Sequence, residues 1–143
     1  MIWKKEFTVD DMNKFRENTM MGHLDITFEE KGEDFLTASM PVDARTHQPM
    51  GILHGGASVV LAETLGSCAS LMTVEKGYYS VGLEIKANHI KSISQGRVTG
   101  RTTPLHLGRT TQVWDIEITS DKGELICASR LTMAVLETRK RHS

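Results

Sequence analysis

The sequence has almost no net charge: 17 lysines and arginines against 18 aspartates and glutamates leave −1 at neutral pH. With no global field, a polyanion would have to be met by a local basic patch, and nucleic acid is not an expected partner. Its 2 cysteines, Cys68 and Cys127, both fall in apolar segments. They suit small buried hydrophobes in a reduced compartment rather than a disulfide framework. No uncharged, predominantly apolar run approaches the roughly 18 residues of a membrane span. The opening Met1-Ile-Trp-Lys-Lys-Glu-Phe7 lacks the apolar core of a signal peptide. Repeats, linkers and low-complexity stretches are missing too. The 143 residues therefore predict one soluble, cytoplasmic domain spanning residues 1–143, with a charged tail fraying from about 137.

What is present centres on Gln48–Met72. A glycine pair, Gly55-Gly56, opens a long run that is apolar or small on nearly every side, with one carboxylate, Glu63, in its middle. A helix without a polar face is expected to be buried, and an acid within it must be paired, neutralised or functional. At 3.6 residues per turn Gly56, Glu63, Ser67 and Ser70 share one stripe, which reads as a pocket wall.

The flanking segments read as strands. Thr8 and Asp11 suggest a capping box and a helix to about Glu17, lying as a flap over the sheet end. Leu24, Ile26 and Phe28 alternate with polar residues, and Leu36, Ala38, Met40 and Val42 return after a turn at 31–34. Further strands are predicted over Tyr79–Asn88, Gly96–Pro104, Thr111–Thr119 and Leu125–Val135, the last one central. Ser120-Asp-Lys-Gly123 joins the final pair as a hairpin. Without crossover helices the sheet should be largely antiparallel, wrapping the one long helix in an α+β arrangement.

His54-Gly55-Gly56 lies where a helix presents amides without intrahelical partners. Glycine there lets a carbonyl oxygen approach the backbone, the requirement of an oxyanion site. A lone Glu in a helix is more often satisfied by Arg or Lys. Gln48 before the His and Glu63 nine residues after it shift the balance toward chemistry. Gly55 and Glu63 are separated by about 12 Å along one helix, beyond a glutamate's reach. If both act on one carbonyl, they come from two copies of the chain related by a two-fold axis.

The segments Met40–Ser67, Val81–His89 and Pro104–Gly108 resemble the hotdog-fold acyl-CoA thioesterases, and the likeness runs from Met1 to about Glu137. It is nearest to bacterial members that hydrolyse 1,4-dihydroxy-2-naphthoyl-CoA in menaquinone (or phylloquinone) synthesis or misacylated aryl carrier protein in enterobactin synthesis. The resemblance implies a hotdog fold, dimers pairing into a homotetramer, and no metal or cofactor, coenzyme A being part of the substrate. It assigns Glu63 as nucleophile or general base. Gln48, His54 and the Gly55 amide would hold the thioester carbonyl, and Ser67 would support the water or Glu63. Substrate contacts fall on Gly82, on His89, Ile90, Lys91 and Ser92, and on His106, Leu107, Gly108, Arg109, Thr110 and Thr111. Lys91 and Met50 depart from the Arg and Phe expected there. Two other readings stand beside the thioesterase: a hotdog-fold dehydratase or hydratase using a His and an acid, and a non-catalytic acyl-binding dimer.

Overall fold

The computed structural model describes residues 1–139. Thr8 opens helix α1 (Val9–Asn13) through the expected capping box. Its hydroxyl accepts from the Asp11 N–H at 3.1 Å, and the Asp11 carboxylate accepts from the Thr8 N–H at 2.9 Å. The helix is shorter than its sequence suggests, continuing only as a 3-10 turn (Lys14–Arg16), and a second short helix, α2 (Met20–His23), follows. Tertiary ties set these limits: the Asn13 amide exchanges two hydrogen bonds with the Phe28 backbone, at 2.9 and 2.8 Å.

Strand β1 (Thr27–Lys31) begins later than the alternation from Leu24 implies. Asp25 stands at φ +51°, a left-handed conformation that cannot extend a strand. It is held there by Arg16 at 3.2 Å and Arg97 at 3.1 Å. The remaining elements are β2 (Leu36–Val42), α3 (Gly55–Thr73), β3 (Tyr78–His89), β4 (Gly96–Leu107), β5 (Thr111–Ser120) and β6 (Leu125–Glu137). All ladders are antiparallel, and the 6-stranded sheet runs β1-β2-β4-β5-β6-β3. This is the expected sheet wrapped around one long helix.

Three details differ from expectation. Strand β4 runs past Pro104, because β2 has already ended opposite Thr102 and the proline's missing N–H leaves no neighbour on that side unpaired. Strand β6 is interior but penultimate, since β3 is the sheet edge. The tail is ordered further than expected: Glu137 pairs with Tyr78 and the Thr138 N–H donates to Gly77 O at 2.8 Å. Its last part, residues 140–143, lies outside the described residues.

One face of α3, built from Ala57, Leu61, Ala62, Leu65, Gly66 and Ala69, packs into the sheet against β2 to β6. Trp114, Ile116 and Ile118, the predicted inner face of β5, are all fully buried. Close approach depends on glycine. A Cβ on Gly66 would stand 2.5 Å from Leu131 Cδ2, and one on Gly100 2.6 Å from Leu65 Cδ1. By length and hydropathy alone α3 would also suit a membrane span, so the sheet, not composition, decides its surroundings. Both cysteines are free thiols, and burial pushes the Cys68 thiol up to about 11.

The other face of α3 is open. Glu63 is exposed, and Val59, Val60, Thr64 and Ser67 are half-buried. The expectation of a buried acid is thus corrected for the single chain: the sheet curves around one side of the helix only. Strand β3 flanks that opening as an unpaired edge, exposing Tyr79, Val81 and Leu83.

Candidate active site

The loop before α3 is built to hold two side chains still. The Thr46 hydroxyl donates to Pro41 O at 2.8 Å, and the His54 N–H donates to Thr46 O at 2.8 Å. The Gln48 N–H donates to Ile52 O at 2.8 Å, and Gly51 turns the chain at φ +77°, a conformation favouring glycine. His47 Nε2 meets Ser94 O at 2.8 Å, tying this loop to the β3–β4 connection. At the loop's start, the Arg45 guanidinium binds Asp43 through two bonds and holds its carboxyl at about 2.

Local hydrogen bonds dictate what Gln48 and His54 offer. The Gln48 side-chain oxygen accepts from the Met50 N–H, so the amide nitrogen is the end left free. His54 is the N-cap of α3, and its Nδ1 accepts from the Gly56 N–H at 2.8 Å. The imidazole proton therefore resides on Nε2, which can only donate. The Ala57 and Ser58 amides are taken by His54 O, while the Gly55 N–H is a first-turn amide with no acceptor among the described residues. Two side chains and one amide around the helix start are thus donors with their acceptors already used. That set matches a developing oxyanion.

Gln48 and Gly55 line a cleft of about 330 Å³ together with His89, Ile90, Lys91 and Ser92. His89 closes over the helix start: a Cβ on Gly55 would stand 2.7 Å from its Nε2. Only glycine leaves both the amide and the imidazole in place. Lys91 is not a free cation, because its Nζ is ion-paired with the Glu124 carboxylate, and that contact lowers the Glu124 pKa.

Glu63 lies two turns along α3, facing Gly82 of β3. A Cβ on Gly82 would sit 3.4 Å from Glu63 Oε1. One turn further, Ser67 Oγ is 3.9 Å from Met133 Sδ. Ser70, which shares their stripe, is not a pocket wall. It is fully buried and hydrogen-bonds to Ser80 and Gln112, because β3 covers the helix at that level.

His106 to Thr111 lie elsewhere. His106 and Leu107 end β4 as exposed residues, and the Gly108 N–H donates to Thr111 O at 3.0 Å in a turn that also carries Arg109 and Thr110. Leu107, Gly108 and Arg109 line a second cleft of about 510 Å³, with Thr73, Val74 and Glu75 from the end of α3. One chain therefore gathers Gln48, Gly55 and residues 89–92 at the helix start, Glu63 with Gly82 at its middle, and residues 107–109 at its end.

Comparison with known proteins identifies the family of the chain. Residues 50–127 match the model of the thioesterase superfamily. The chain is 56% identical over 95% of its length to the whole of the 1,4-dihydroxy-2-naphthoyl-CoA hydrolase of Escherichia coli K12. It is 51% identical to the proofreading thioesterase EntH of Cronobacter sakazakii, over 95% of this chain and 99% of that one. A crystal structure of a thioesterase from Haemophilus influenzae superposes with a TM-score of 0.96 at 48% identity, covering 100% of both chains.

Proposed function

The chain belongs to the thioesterase superfamily, with its hotdog fold, and from that we propose that it hydrolyses aromatic acyl-CoA thioesters at a site shared by two copies. The substrate proposed is 1,4-dihydroxy-2-naphthoyl-CoA, the compound named for its Escherichia coli relative. Glu63 of one copy, or a water it deprotonates, attacks the carbonyl carbon held at the helix start of the other. The Gly55 N–H, His54 Nε2–H and Gln48 amide receive the oxyanion. Collapse of the intermediate expels the thiolate, whose conjugate acid has a pKa near 8.5, so no strong general acid is required. Water is consumed, and a carboxylic acid and a thiol are formed. Ser67, one turn from Glu63, orients the water or the carboxylate. Gly82 and residues 89–92, with residues 106–111, hold the coenzyme A portion, with Arg109 facing phosphate; Lys91 would have to exchange Glu124 for phosphate.

The observation that carries this reading is the donor-only set at the start of α3. A dehydratase or hydratase would need His54 to accept a proton at Nε2, placing the other on Nδ1. That atom already accepts from the Gly56 N–H. A purely acyl-binding module would leave an exposed Glu63, with no partner among the described residues, without a role. Two copies are required because a helix separates Gly55 from Glu63 by about 12 Å. The open face of α3 and the outer edge of β3, which pairs with no strand among the described residues, support this reading as surfaces a two-fold dimer could cover.

A Glu63→Gln chain should fold and dimerise yet lose most hydrolysis of 1,4-dihydroxy-2-naphthoyl-CoA; near-wild-type turnover would eliminate the proposal. Mixing it with a His54→Ala chain should restore part of the activity, since one of the two shared sites is intact. No recovery, with subunit exchange verified, would exclude the two-copy site. Similarity to a proofreading thioesterase makes aryl carrier protein thioesters the alternative substrate, and a panel including benzoyl-CoA, aliphatic acyl-CoAs and such a thioester separates the two.

A further inference from the structure

Among the described residues, no hydrogen bond or ion pair holds the Glu63 carboxylate, which lies so near Gly82 that a Cβ there would stand 3.4 Å from Oε1. The position of Glu63 relative to β3 must then come from the spacing between α3 and that strand. Strand β3 is an edge with one ladder partner, and the β3–β6 ladder slips by one residue between Gly82 and Glu84. Pairing alone is therefore a loose restraint at the place that matters.

A buried polar cluster supplies the tighter one. The Trp114 indole N–H donates to Gln112 Oε1 at 2.9 Å. Since that group is donor-only, it fixes which end of the Gln112 amide is oxygen. The same oxygen lies 2.6 Å from Ser70 Oγ, and Gln112 Nε2 donates to Thr73 Oγ1 at 2.9 Å. The Thr73 hydroxyl donates to Ser70 O at 2.8 Å. Ser70 has one hydroxyl proton, directed at Gln112. At 2.9 Å from Ser70 Oγ, the Ser80 hydroxyl must therefore be the donor. Ser70, Thr73, Gln112 and Trp114 are all buried, where an unmade hydrogen bond is expensive.

Ser80 is the strand's only side chain in this cluster, and residues two apart on a strand share a face. Ser80 and Gly82 both face α3, the first meeting Ser70 and the second meeting Glu63. We propose that the Ser80–Ser70–Gln112 chain of hydrogen bonds positions Glu63 for attack, by fastening edge strand β3 to helix α3 beside Gly82. Ser80 and Gln112 are positioning residues; neither touches the reacting atoms.

This inference rests on Glu63 being the catalytic carboxylate, and the test keeps the two apart. Ser80→Thr and Ser80→Val have the same shape and differ by one hydroxyl. The valine variant should lose roughly tenfold or more in kcat, with KM within about twofold, as expected for a misplaced catalytic group. The threonine variant should stay near wild type, and both should melt well above the assay temperature. In a crystal structure of Ser80→Val the Glu63 carboxylate should shift from Gly82; in Ser80→Thr it should not. Equal kcat in the two variants, or an unmoved carboxylate, overturns the proposal. Should Glu63→Gln retain hydrolysis, the function assigned to Glu63 falls. The carboxylate's displacement alone then decides the positional claim. Gln112→Leu offers the same comparison from the sheet side if a Ser80 variant fails to fold.

Discussion

The two ends of α3 treat polar groups in opposite ways. At the start, Gln48 and His54 have their acceptor atoms taken by nearby amides, leaving amide and imidazole donors facing solvent beside the Gly55 N–H. Toward the end, Ser70, Thr73, Ser80, Gln112 and Trp114 satisfy one another within the core. The difference follows from water. Donors left free cost little while exposed and gain much when a substrate oxyanion replaces solvent, whereas the same groups buried must already be paired. A single helix thus carries an open end with free donors and a closed end whose polar groups satisfy one another, with Glu63 between them.

The largest effects should come from breaking the open end. His54→Ala removes both the Nε2 donor and the helix cap, whereas His54→Asn keeps a good cap but its shorter side chain no longer places an N–H where Nε2–H was. Both should lower kcat by about 10²–10³, the usual loss for one oxyanion donor. Only the alanine variant should also lose about 1 kcal/mol in denaturant unfolding. Equal activity losses with unequal stabilities would separate the cap from the chemistry.

An intermediate effect belongs to the closed end. Gln112→Leu leaves the Trp114 indole and the Ser70 hydroxyl without their acceptor, so stability should fall by about 1–3 kcal/mol, read as a lower urea midpoint with unchanged m. A variant as stable as wild type would mean that water or a rearrangement replaces the lost partners.

The smallest effect lies away from both ends, at Asp25. Its burial favours the neutral carboxyl, but the hydrogen bonds and charges of Arg97 and Arg16 outweigh it and hold its pKa below the usual 3.8. A carboxylate whose folded pKa is depressed stabilises above its unfolded value, and that stability disappears as pH falls through the folded value. Asp25→Asn should therefore melt slightly lower than wild type at neutral pH, and the gap should close as pH falls below the usual 3.8 and through the lowered folded value. A gap that persists in acid would assign the effect to shape rather than charge.

Several features are legible in the sequence because their causes are local. The Thr8–Asp11 capping box, the turn at 120–123, and the alternation of Trp114, Ile116 and Ile118 need only neighbours along the chain. So does the donor-bearing helix start at His54-Gly55-Gly56. Others are not legible there. The β1 boundary depends on two arginines from distant segments gripping Asp25. Passage of β4 through Pro104 depends on where β2 ends, and the occupation of Lys91 depends on Glu124, brought beside it by the pairing of β3 with β6. By spacing Ser70 is identical in kind to Ser67, yet one is structural and the other faces the opening.

By itself, then, the sequence determined the long helix and most of the strands, their antiparallel character, and a spacing of helix start and acid too wide for both to act on one carbonyl within one copy. Hydrogen-bond caps and side-chain periodicity act over a few residues, and the rise of a helix is the same in any protein. Only the tertiary structure decided which face of α3 stays open, why Glu63 is exposed rather than buried in the single chain, and what holds it in place. Burial and long-range hydrogen bonds depend on strand order and sheet curvature, which no local pattern encodes.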